Sequence, residues 1–274
     1  MTFATVMVSL ALNQPNEARL DVAGQLAERF GAAMIGIAAA QFAPPLYYTT
    51  GEQAQIVIDE GVAMLEQRLA ELEAKFREAC KHRAKSLDWR SAIDFPARFV
   101  LEQARAADII VDGGRSPPIS DAFALASPKD LVMQTGRPLL VVPDRVEWFD
   151  LRSALVAWKD TPEARRAVAD AVPLLRQAKQ VTVVEIPESR SAATAGVSDV
   201  IAWLSRHGIA ATERVSAGCD GRNVPARLGE IAEEVGASLI VAGAYGHSRF
   251  RELILGGMTQ HLITQSERCV LLSH

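Results

Sequence analysis

Short apolar runs alternate along the chain with segments whose apolar residues recur every three or four positions. The first run, positions 4–10, is β-branched and short, which predicts a buried strand. A turn with Asn13 and Pro15 follows, and then Leu20, Ala23, Leu26 and Phe30 fall on one helical face, with Gly31 as the helix stop. A second strand is expected over 34–39. The order restarts with "ALVAW" (154–158) as a strand, Thr161 as an N-cap with Pro162 at the first helical position, and "VTVVEI" (181–186) as the next strand. Positions 56–83 predict a long helix with Leu65, Leu69 and Leu72 on one side and the mixed charges of a solvated face on the other. The loop before it, "QFAPPLYYTTGEQ", carries Tyr47 and Tyr48, which either pack locally or line a pocket.

The later parts of the two halves echo one another. "ADIIVDGG" (107–114) faces "ASLIVAGA" (237–244), and "QTGRPLLVV" (134–142) faces "QSERCVLLS" (265–273), at a nearly constant offset. The chain reads as an internal duplication, with domains at 1–145 and 151–274 and a boundary in the charged, proline-bearing segment 143–153. Strands alternating with helices in each unit predict an α/β fold: two repeated open parallel-sheet domains with helices on both faces. The terminal strands "RPLLVV" and "RCVLLS" then need protection for their edges.

A chain of 274 residues has the length for two such domains, and 49% hydrophobic with 23% charged residues is the composition of a globular protein. The formal net charge of -4 argues against a nucleic-acid partner, which needs a concentrated basic face. Cys80, Cys219 and Cys269 are far apart and contain no C-x-x-C pair, so neither a disulfide framework nor a zinc site is expected. The first residues lack a basic n-region, and no apolar run reaches the roughly 18 residues of a membrane helix, so a cytoplasmic, membrane-free protein is expected.

The stretch with the most chemical content is "GAYGHSRFRELILGGMTQ" (243–260). Gly243 follows a predicted strand, where open parallel sheets bind ligands. Gly243 and Gly246 permit close backbone approach, His247, Ser248 and Arg249 offer donors, and Gly256, Gly257, Met258 and Thr259 lead into a helix start with unsatisfied amides. Such a loop either holds phosphate or merely turns the chain, with Thr259 as an N-cap. There is no G-x-x-x-x-G-K-[ST] loop and no G-x-G-x-x-G after the opening strands, so a P-loop ATPase and a dinucleotide dehydrogenase are poor fits.

The spacing Gly243, two residues, Gly246, nine residues, Gly256 resembles the C-terminal signature of the universal stress protein family. "LVAWKDTPEARRAVADAVPLL" (155–175) and "GEIAEEVGASLIVAG" (229–243) are similar to its other characteristic parts, and the whole chain resembles a tandem, two-domain member. The resemblance implies a Rossmann-like fold of the adenine-nucleotide alpha-hydrolase type, with the halves packed as an intramolecular pseudo-dimer and their last strands near the interface. It also implies a site for ATP or another adenine nucleotide, with Mg2+, in those members that bind one; other members bind none. Gly257 stands where the family has Ser or Thr, so any hydroxyl there must come from Thr259, and Lys159 with Asp160 stands where the first strand often ends on an acidic residue. In the first half Gly113 matches the first glycine, but "GGRSPPISDAFALASPKD" replaces the rest of the loop, with a turn at Ser127 and Pro128, which makes that copy degenerate.

Catalysis has little support. His207, His247, His261, Asp160 and Asp220 form no metal-ligand spacing, there is no H-E-x-x-H or G-x-S-x-G motif, and no general base can be named, so the limit is slow ATP hydrolysis. Two functions remain: a stress-response protein whose nucleotide occupancy regulates an unknown protein partner, or a nucleotide-free interaction module with a vestigial pocket. A chain-to-chain dimer is expected in either case.

Overall fold

The computed structural model describes residues 2–12, 14–43, 51–114, 126–187, 196–216, 223–245 and 257–274. Asn13, Tyr47 and Tyr48 lie outside the described residues. The first half runs β1 (Thr5–Ser9), α1 (Glu17–Phe30), β2 (Ala33–Ala40), α2 (Gly51–Cys80), β3 (Leu87–Ile93), α3 (Pro96–Gln103), β4 (Ile109–Gly113), α4 (Pro128–Gln134) and β5 (Leu139–Val142). The second half runs β6 (Ser153–Trp158), α5 (Pro162–Leu175), β7 (Gln180–Glu185), α6 (Val197–Arg206), β8 (Ala211–Val215), α7 (Val224–Glu234), β9 (Leu239–Gly243), α8 (Met258–Thr264) and β10 (Cys269–Ser273).

Local chemistry sets the ends of several elements. Gly31 closes α1 in the left-handed region at φ 60, where a side chain would be strained. Thr161 caps α5 by accepting the Ala164 N–H, with Pro162 in the first turn, as its sequence predicts. Ser127 and Pro128 do not form the expected turn: Pro128 opens α4, because its fixed φ suits the first helical position and its missing N–H costs nothing there.

The strands form one ten-stranded sheet in the order β3-β2-β1-β4-β5-β10-β9-β6-β7-β8. Each half therefore has the same order about its first strand. All pairings inside the halves are parallel. The join is antiparallel, with Leu140 opposite Leu271 and Leu139 opposite Leu272. Each terminal strand covers the other's edge, which meets the need for edge protection. Since the join is antiparallel, the carboxyl ends of the two sets of strands point to opposite ends of the sheet.

Alternation along the strands feeds two apolar layers. Val6, Val8, Ile109, Val111, Leu140 and Leu271 face the layer under α1, α2, α5 and α6. Met7, Ile110, Leu139, Val141, Val270 and Leu272 face the opposite layer with α3, α4, α7 and α8. A strand buried on both sides must be apolar at every position, which is why these runs show no polar alternation. In α2, Leu69, Leu72, Phe76 and Cys80 are buried, while Ile56 and Met64 in its first half are exposed. Among the described residues no helix is long and apolar enough to cross a membrane.

The segment between the halves is packed rather than loose. Phe149 and Leu151 are buried, and the buried Gln25 of α1 accepts the Phe149 N–H at 2.9 Å and donates to the Glu147 carbonyl at 3.4 Å. Replacing Gln25 with Ala should leave a buried N–H unsatisfied and cost about 1–3 kcal/mol. Urea unfolding of the variant against wild type measures this, and an unchanged midpoint would mean the segment is not held through Gln25.

Candidate functional site

In both halves the strand order reverses beside the first strand, between β1 and β4 and between β6 and β9. Ligand sites of open parallel sheets lie outside the carboxyl ends of the strands at such a point.

In the C-terminal half, Gly243 is the last residue of β9. A Cβ there would stand 2.5 Å from the Ala164 nitrogen and 2.7 Å from the Glu163 carbonyl carbon, so the first turn of α5 rests directly on this glycine. The Ala244 N–H donates to the Ser273 carbonyl at 2.8 Å, and the Ala244 carbonyl lies 3.0 Å from Nδ1 of His274. Tyr245 then takes φ 57, left-handed for a residue with a side chain, and its N–H donates to Thr259 Oγ1 at 3.3 Å.

Thr259 is buried in the first turn of α8 and is not its N-cap. Gly257 holds that position and, having no side chain, supplies no side-chain cap, while the Thr259 hydroxyl accepts from the Tyr245 amide. Met258 is the first residue of α8, which has only seven residues, so its dipole is weak. Lys159 and Asp160 follow β6 and are exposed, and Asp160 pairs with Arg165. Glu163 Oε2 is buried and has no hydrogen-bond partner among the described residues. Gly246, His247, Ser248, Arg249 and Gly256 lie outside the described residues.

The remaining candidates are dispersed. His207 ends α6 with its ring 4.1 Å from that of Trp203, and His261 is half-buried on α8. Cys80 and Cys269 are buried, and burial pushes their thiols up to about 11 and about 12, so both act as small apolar groups. Cys219 and Asp220 lie outside the described residues. No group of three or more His, Cys, Asp or Glu among the described residues is arranged to hold a metal ion.

The N-terminal crevice contains polar residues that no sequence motif marks. Arg19 and Asp112 are 4% and 5% exposed. Arg19 Nη1 donates to the Ser9 carbonyl at 3.2 Å and lies 3.9 Å from Asp112 Oδ1, while Nη2 donates to Gln14 Oε1 at 3.0 Å. A Cβ on Gly113 would stand 2.7 Å from Arg19 Nε and 2.8 Å from its Cζ, so the guanidinium crosses the end of β4 over this glycine. Burial pushes the Asp112 carboxyl up to about 6, against the pull of Arg19, the Gly113 amide and Ser9. These residues, with Pro96 and Val100 of α3, line a cavity of about 20 Å³, room for about one water. The signal was present: Asp112 is a charge inside an otherwise apolar strand, and Arg19 adjoins Leu20 on the buried face of α1.

Two outcomes follow from this geometry. Gly243→Ala pushes a Cβ into helix backbone and should cost about 2–4 kcal/mol, whereas Gly113→Ala meets only a side chain that can move and should cost less; equal losses in urea unfolding would contradict the two contacts. Asp112 has a folded pKa raised from 3.8 to about 6, so its contribution is full below about 4 and lost as pH rises through about 6. Asp112→Asn should remove that decline from the pH profile of Tm, and an identical profile would mean that the carboxyl titrates normally.

Residues 151–274 match the model described as the universal stress protein family. None of the curated proteins matches the chain. A universal stress protein from Archaeoglobus fulgidus DSM 4304 has a solved structure similar over 98% of this chain and 95% of its own, with a TM-score of 0.70 and 18% identity. A functionally unknown protein from Pseudomonas aeruginosa PAO1 is similar over 99% of this chain and 92% of its own, with a TM-score of 0.54 and 14% identity. A universal stress protein in complex with cAMP is similar over 53% of this chain and 99% of its own, but a TM-score of 0.37 at 21% identity carries no ligand across. The segment 151–274 belongs to the universal stress protein family, and the chain as a whole has the fold of a universal stress protein over nearly its full length.

Proposed function

We propose that the chain binds an adenine nucleotide, ATP in the first instance, at the carboxyl end of β9, and that occupancy regulates a protein partner. The observation that carries this reading is the base of the glycine loop: β9 ends at the reversal of strand order, the backbone turns back at Tyr245, and the Tyr245 amide is tied to Thr259 on the far side of the loop. A loop fastened at its base has already met the entropy cost of bringing its two ends together, so less is left to lose when its amides close on a phosphate than for a loop with free ends. Gly246, His247, Ser248, Arg249 and Gly256 are the proposed phosphate contacts, with Lys159 beside them after β6. A Mg2+ ion would be held chiefly by the phosphates, with Asp160 as the protein carboxylate nearest in sequence to the end of β6. Residues 1–145 and 151–274 act as the two units of an intramolecular pseudo-dimer, and occupancy of one alters the surface of the pair by linkage.

A second reading is supported by the contact at Gly243. Its missing side chain is already required by the α5 backbone, and the neighbouring Glu163 places a buried carboxylate oxygen near the first turn of that helix. A loop used only to turn the chain, in a nucleotide-free interaction module, needs nothing more.

Mass spectrometry of small molecules released from freshly purified protein, followed by calorimetric titration with ATP and Mg2+, separates the two. Near-stoichiometric adenine nucleotide or a saturable heat is expected; neither would leave the interaction module. Gly246→Val should abolish the heat by blocking close approach. Arg249→Ala should weaken ATP by roughly 10–100-fold and adenosine much less, as removal of a charge-assisted phosphate contact requires. Equal losses for both ligands would place Arg249 away from the phosphates.

A further inference from the structure

The two halves treat the end of their fourth strand differently. Aligning the residues before α1 and α5, Asn16 and Thr161, matches Arg19 with Ala164, and aligning β4 with β9 matches Asp112 with Ala242 and Gly113 with Gly243. Both alanines are buried. In the C-terminal half helix backbone lies on the glycine; in the N-terminal half a guanidinium lies there instead. Both members of the Arg19–Asp112 pair are thus peculiar to one copy.

The surroundings of Arg19 are acceptors: the Ser9 carbonyl, the Gln14 amide oxygen and the Asp112 carboxylate. They come from the end of β1, the loop after it and β4, and they meet at the reversal of strand order. A planar cation whose donors point outward in a fixed fork matches this set better than an ammonium does. Arg19 Nε is buried with no hydrogen-bond partner among the described residues, and Arg19 lines the cavity of about 20 Å³. Gly113 admits the group, since any side chain there would occupy the path of the guanidinium.

We propose that the N-terminal crevice is a guanidinium-binding site whose resident ligand is the chain's own Arg19. The N-terminal half is filled by its own side chain at the place where a parallel sheet ordinarily takes a diffusible ligand. Asp112 is its counter-ion and Gly113 its entry. This goes beyond the nucleotide reading; only the corollary that a diffusible ligand is left to the C-terminal half rests on that reading.

The test is chemical rescue. Arg19→Ala should lower Tm and leave a cavity facing an unpartnered Asp112, and methylguanidinium, at concentrations well below the denaturing range, should raise the Tm of this variant saturably by a few degrees. Wild type and the Arg19→Ala/Asp112→Ala double variant should show no such rise, because the site is filled in one and lacks its counter-ion in the other. A response of Arg19→Ala no different from these two overturns the proposal. Should Arg19→Ala not fold, wild type itself gives the answer by NMR: the Arg19 Nε–H resonance, identified by its loss in Arg19→Lys, should exchange with water at least about 100-fold more slowly than those of surface arginines. Exchange at the surface rate overturns the assignment. Neither measurement uses a nucleotide, so failure of the ATP titration and failure of this proposal are distinguishable.

Discussion

The antiparallel pairing of β5 with β10 is the contact on which the molecule's arrangement depends. Each half is a parallel sheet that would otherwise end on a strand apolar on both faces and bare along its edge. Joining the edges satisfies both sets of backbone groups and lets the apolar layers continue across the join, with Leu140 and Leu271 in one layer and Leu139 and Leu272 in the other. The same contact sends the two carboxyl edges to opposite ends of the sheet. The crevice at β4 and the loop at β9 are therefore separate places.

Strands at matching places in the two halves end on glycines with different contacts. Gly243 is small because α5 backbone lies against it, and Gly113 is small because Arg19 passes over it. Burying Arg19 and Asp112 is costly, as the raised carboxyl pKa of about 6 shows, and their separation of 3.9 Å is too long for a strong bidentate pair. The pair is better understood as filling and fixing the crevice than as a source of stability. Removing one member alone leaves the other buried without its partner, whereas Ala164 and Ala242 at the matching places of the other half show that the fold forms with neither charge there.

A shared fold locates a site without specifying what it binds. The fold puts the reversal of strand order at both carboxyl edges. The chemistry offered there is set by individual side chains: Tyr245 and Thr259 close the base of one loop, while Arg19, Gln14 and Asp112 occupy the other crevice.

Hydrophobic periodicity and capping residues were enough to read the strand–helix alternation, the Thr161 cap and the Gly31 stop, because these depend on neighbours within a few positions; the repeat was read from the echo between distant segments instead. The glycine spacing singled out the stretch 243–260 as a candidate loop. Periodicity did not reveal that Thr259 serves Tyr245 rather than the helix start, that Pro128 begins a helix, or that Arg19 meets Asp112. Those are decided by where β1, β4, α1 and α8 come to rest. The sequence by itself determined which segments become strands and helices and that the pattern occurs twice. Only the tertiary structure decided what the glycines ending β4 and β9 are for, since an absent side chain states that something approaches and leaves its identity to whatever the fold brings alongside.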